Sequence, residues 1–115
     1  MELTMTPTAD ELAAFLGEIL LDLGDSSRKG AVYLQHLGIR GERFSCNTCP
    51  VAVYVLRRLQ ELNPAKPASV LVRQDELTVR YPGVTVTVTV DLPDAVVELI
   101  EAIDMGCWPQ LEAVS

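Results

Sequence analysis

The sequence predicts an α+β fold: three helices, a three-stranded antiparallel meander and a C-terminal helix, stacked as a two-layer sandwich. Two observations predict it. Apolar residues recur at helical spacing up to residue 62 and again after residue 93, and the β-branched runs between them alternate with period two. The connections between those runs are too short for anything but antiparallel neighbours.

The first helix is expected over 9–23. Thr8 and Glu11 form a capping-box pair, each able to satisfy an otherwise orphaned amide of the first turn. Leu12, Phe15, Leu16, Ile19, Leu20 and Leu23 share one face, and Gly24 supplies the left-handed terminator. A second, shorter helix spans 28–37, with Asp25, Ser26 and Ser27 as caps and Ala31, Leu34 and Leu37 inward. Gly30 weakens it by about 1 kcal/mol relative to Ala.

The segment "GIRGERFSCNTC" has no periodicity and reads as a loop. Proline is favoured in the first helical turn and excludes helix from the residue before it, so Cys49 falls at the cap and Pro50 opens a helix over 50–62. Val51, Ala52, Val55, Leu56, Leu59 and Leu62 face inward there. "NPAKPAS" is a linker.

Strands follow at 69–73, 76–81 and 84–90, joined at Gln74-Asp75 and Pro82-Gly83. In "VTVTVTV" the valines face one way and the threonines the other, so one face is buried and the other wet. A last helix over 93–105 turns Val96, Val97, Ile100 and Ile103 inward and ends at Gly106. Trp108, the only tryptophan, is expected to fold back on the core.

The 115 residues suit a single domain, 1–115. No apolar run is long enough to span a membrane, and the opening "MELTMTPTADE" lacks the basic and apolar parts of a secretory leader. A cytoplasmic location is therefore expected. Net charge is −7, which disfavours general polyanion binding and makes nucleic acid an unlikely partner. The charge is unevenly placed. Residues 26–60 hold six bases against Glu42 alone, whereas both flanking segments are acidic.

Three cysteines, an odd number, argue against a disulfide framework in a reducing compartment. Cys46 and Cys49 have Cys-x-x-Cys spacing, which suits a redox pair of the thioredoxin-like kind. That motif normally follows a strand, and here it follows a loop, with the helix dipole serving Cys49 and not Cys46. Zinc needs four ligands, and Cys46, Cys49, Cys107 and the single His36 would just supply them, although only one pair is closely spaced. The plain readings are a helix-end histidine at 36 and an apolar Cys107 beside Trp108.

Arg40, Arg43, Ser45 and Thr48, with Arg28 and Lys29 near, run into a helix amino terminus. Such an end can hold an anion or an acidic partner. Pairing of these bases with the abundant carboxylates is the competing reading. No nucleophile turn surrounds the one histidine, so no catalytic residue is assigned and no cofactor is expected, with zinc as the alternative. The leading expectation is a non-enzymatic module that binds another protein. A homodimer through an exposed strand edge is a further possibility.

"GIRGERFS", "CPVAVYVLRRL" and "LPDAVVELIEAIDMGCWPQL" together resemble small uncharacterised proteins of actinobacteria and their phages. The resemblance covers the last two thirds of the chain and rests on Gly41, Cys49, Pro50, Ala52, Tyr54, Leu92, Pro93, Asp104, Gly106, Pro109 and Leu111. It implies no activity, cofactor or catalytic residue, and Cys46 and Cys107 stand outside its pattern.

Overall fold

The computed structural model describes residues 8–62, 69–81 and 86–112. The chain forms α1 (Ala9–Leu21), α2 (Ser27–His36), α3 (Pro50–Leu62), β1 (Ser69–Val72), β2 (Glu76–Tyr81), β3 (Val86–Asp91), α4 (Asp94–Asp104) and a 3-10 turn, Pro109–Leu111. The expected order is therefore observed, with ends shifted by one or two residues as fraying termini allow. The linker at 63–68, the Pro82-Gly83 connection and the start of the expected strand 84–90 lie outside the described residues.

Local chemistry sets the helix starts. Thr8 Oγ1 accepts the Glu11 amide at 3.2 Å while the Thr8 amide donates to Glu11 Oε1 at 3.0 Å, completing the capping box. Those bonds to Thr8, the backbone one first, hold the Glu11 carboxyl below its ordinary range. Ser26 caps α2 by accepting the Lys29 amide at 3.2 Å. Helix α1 stops short of residue 23, and Gly24 at φ +88° turns the chain so that Leu23 still reaches the core.

The sheet order is β1-β2-β3, a meander with both pairings antiparallel. Val70, Val79 and Val88 are in register across the three strands, and all are buried. Thr78 and Thr89, also opposite each other, face away and share a hydroxyl contact of 2.9 Å. One face is therefore apolar and covered, as the valine and threonine alternation predicts. Helix α1 packs on β3 and α3 on β1, while α2 packs on α4 and on the 3-10 turn. The buried residues make one continuous cluster that includes Leu12, Leu16, Tyr54, Leu77 and Leu99.

Several side-chain placements depart from expectation. Leu37 is 40% exposed because α2 ends at His36 and leaves it at the cap. On α4 the stripe is Val96, Leu99 and Ile103, and Val97 and Ile100 are only partly buried. Cys107 is exposed, so it does not pack as an apolar residue, whereas Trp108 does fold against the core. Gly30 also has a packing reason: a Cβ there would lie 2.8 Å from Leu99 Cδ2 and 3.1 Å from Leu23 O. Its helix cost is offset by the close approach of α2 and α4.

Candidate functional site

The aperiodic loop between α2 and α3 is closely tied in place. The Gly41 amide donates to Leu111 O at 2.9 Å, and the Glu42 amide donates to Thr48 O at 2.8 Å, closing the loop on itself. Ser45 Oγ accepts the Thr48 amide at 3.1 Å and also meets the Thr48 hydroxyl, which donates to Glu42 Oε1 at 3.1 Å. Gly41 is buried against the backbone of Thr48, Cys49 and Pro50, where any side chain would collide. The loop is irregular in dihedral angles but well satisfied in hydrogen bonds.

This ring of contacts delivers Phe44 to the surface. Phe44 has φ +59°, the only left-handed non-glycine among the described residues, and 77% of its surface is exposed. Bulky residues avoid that region, at a cost of about 1–2 kcal/mol. Two contacts hold it there. Its amide donates to Asp104 Oδ1 on α4 at 2.9 Å, and the Arg43 guanidinium lies 5.8 Å from its ring centroid. Arg43 is in turn fixed by Glu112, Nε to Oε1 3.1 Å.

Behind Phe44 lies a cleft of about 280 Å³ between the loop, the end of β1 and α4. Val72 and Ile100 contribute apolar surface, and Arg73, Glu101 and Asp104 supply charge. Cys46 and Cys49 line the same cleft from the loop side. Cys46 is exposed in a turn, and its carbonyl accepts the Val72 amide at 2.6 Å, tying the loop to the outer edge of β1. Cys49 is only 4% exposed. Its carbonyl accepts the Val53 amide at 2.9 Å and its Sγ accepts the Ala52 amide at 3.4 Å, so it caps α3 as its position before Pro50 predicts. Burial pushes the Cys49 thiol up, outweighing the Ala52 and Val51 amides that pull it down. A cap thiol held neutral is a poor nucleophile.

The residues expected to bind an anion fall in two places. Arg28 and Lys29 sit on α2, along a groove shared with Tyr33 and His36, and Lys29 is paired with Asp25 at 2.8 Å. Arg40 is exposed on the loop, Arg43 is paired with Glu112, and Ser45 and Thr48 are bonded to each other, Thr48 also to Glu42. At the α3 terminus Pro50 has no amide, the Ala52 amide points at Cys49 Sγ, and the Val53 amide is bonded to Cys49 O. That arrangement leaves little of the first turn open to an anion. Among the described residues no three of His, Cys, Asp and Glu group as metal ligands, so His36, Cys46, Cys49 and Cys107 are not assembled into a zinc set.

Phe44 and Glu101 were not singled out by sequence, and Asp104 entered only as a position of the resemblance, not as part of a site. The acids sit about 60 positions along the chain on an amphipathic helix, and nothing local marks them as neighbours of the loop. A bulky Phe inside a stretch otherwise rich in Gly and polar residues was the available signal. No family model, curated protein or solved structure matches this chain. Among the described residues no helix is long and apolar enough to cross a membrane.

Proposed function

We propose that this chain is a small, non-enzymatic binding module that engages another protein through loop 38–48 and the adjoining cleft. The observation that carries the reading is Phe44: a large apolar ring, exposed on strained backbone and held by the distant Asp104 and by its neighbour Arg43, itself fixed by Glu112. Strain of this kind persists where the surroundings over-determine it, and it concentrates at working surfaces. Aromatic and arginine side chains are also the types that anchor interfaces.

The chemistry of the cleft favours one kind of occupant. Val72, Ile100 and the Phe44 ring offer an apolar seat, and Glu101 and Asp104 outnumber Arg73 at the rim. A partner segment carrying an apolar side chain beside a Lys or Arg satisfies both, and the net charge of −7 would speed its approach. The same two acids count against phosphate or nucleic acid here. Thiol exchange retains the Cys-x-x-Cys spacing and the exposure of Cys46, but the neutral, buried Cys49 weighs against it. A bacterial or phage origin rests on the resemblance alone.

A photo-reactive phenylalanine analogue placed at position 44 tests the reading in cells. The expected result is a discrete light-dependent adduct that weakens in Glu101→Lys. Adducts from the same probe at position 28, with none from position 44, would overturn it.

A further inference from the structure

We propose that β3 is a self-complementary edge that pairs antiparallel with β3 of a second copy of this chain, independently of the Phe44 site. The two sheet edges differ. On β1 the Arg73 amide bonds Glu76 O at 2.8 Å, so by ladder alternation Val72 turns outward, where its amide is taken by Cys46 O. On β3 the Leu92 amide bonds Asp75 O at 2.9 Å, one step beyond the Glu76 and Asp91 pair. Val86, Val88 and Val90 therefore turn their backbone groups toward β2, and Thr87, Thr89 and Asp91 turn theirs outward. Among the described residues no backbone group pairs with that outer edge.

The edge lacks the usual protection. Val86–Asp91 contains no Lys, Arg, Pro or Gly, and its one charge, Asp91, stands at the end. Its pattern also fits itself. With Thr89 opposite Thr89 of the second copy, Thr87 falls opposite the second copy's Asp91, and every outward N–H and C=O of these residues gains a partner. Shifting the register by two places Thr87 opposite Thr89 and leaves Asp91 outside the ladder formed by these residues. In the matched register the Thr87 hydroxyl can donate to the Asp91 carboxylate, and Val88 opposes Val90 on the covered face. This is an isologous contact, in which one surface serves both copies and assembly closes at two.

Sedimentation equilibrium of the whole chain tests the pairing against its 12.6 kDa mass. A concentration-dependent dimer is expected. Thr89→Lys, which sets two ammonium groups against each other on the symmetry axis, should weaken it at least about tenfold. Thr89→Pro removes the central donors while facing solvent in the monomer, where an edge strand tolerates it, and should act alike. With Cys46→Ser and Cys107→Ser in the background, Thr89→Cys should cross-link two copies under mild oxidation and Thr87→Cys should not. A monomer at every concentration up to about 1 mM, a dimer indifferent to Thr89→Lys in a folded variant, or cross-linking from position 87 in place of 89 would each overturn the pairing.

Discussion

The Phe44 amide donates to the Asp104 carboxylate at 2.9 Å across 60 positions of sequence. That bond joins the one strained residue of the loop to the last turn of α4, so the exposed ring is positioned by a helix and not by the loop alone.

Phe44→Gly and Phe44→Ala separate the strain from the side chain. Both remove the ring and should abolish capture of the partner. Glycine adopts φ +59° without a Cβ penalty, so Phe44→Gly should be more stable than Phe44→Ala by about 1 kcal/mol in denaturant titration. Equal stability would mean that the backbone relaxes once the ring is gone.

Gly41→Ala should be among the most damaging single-methyl changes in the chain. Its Cβ would sit 2.4 Å from Thr48 O and 2.5 Å from Pro50 N, both backbone atoms that close the loop onto α3. A loss of about 1–3 kcal/mol is expected on overpacking grounds, read as a lowered thermal midpoint.

The cysteines should report their environments directly. Maleimide labelling of the native protein near neutral pH should modify Cys46 and Cys107 and spare Cys49, which reacts only after unfolding. Intact mass with and without denaturant checks it. Rapid native labelling of Cys49 would remove it from the buried cap.

Alkaline pH should destabilise the fold through Tyr54. The ring is fully buried, its hydroxyl donates to Ile19 O at 2.8 Å, and Tyr33 meets it edge-on with centroids 5.7 Å apart. Burial and the Tyr33 contact push the phenol well up, against a smaller pull from Arg58. The folded state thus holds the proton more tightly than the unfolded chain. Its contribution is complete below the unfolded phenol value of about 10 and declines as pH rises past it, by up to about 1.4 kcal/mol per unit. Cys49, shifted in the same direction, begins its decline from about 8.5. Tyr54→Phe should cost about 1 kcal/mol at neutral pH and flatten the alkaline decline above pH 10.

Much of the fold was legible because its signals are local. The Thr8 and Glu11 pair, Pro50 after Cys49, and the valine and threonine alternation each act within a few residues, and each placed its element correctly. The stripe on α4 was misjudged by a fraction of a turn. Val97 and Ile100 are as apolar as Leu99, and which of them is buried is decided by the α2 helix that packs there, through Gly30 against Leu99.

The site was legible only in part, since loop 38–48 is visible as a break in periodicity but its partners are not. The sequence by itself determined the order of helices and strands, the covered face of the sheet and the cap at Cys49, all from interactions spanning a turn or a strand. Tertiary structure alone decided that Asp104 and Glu112 hold Phe44 and Arg43, and that among the described residues no strand pairs with the outer side of β3. Those outcomes depend on which distant surfaces meet, and the hydrophobic burial that brings them together is nondirectional and carries no mark in the order of the residues.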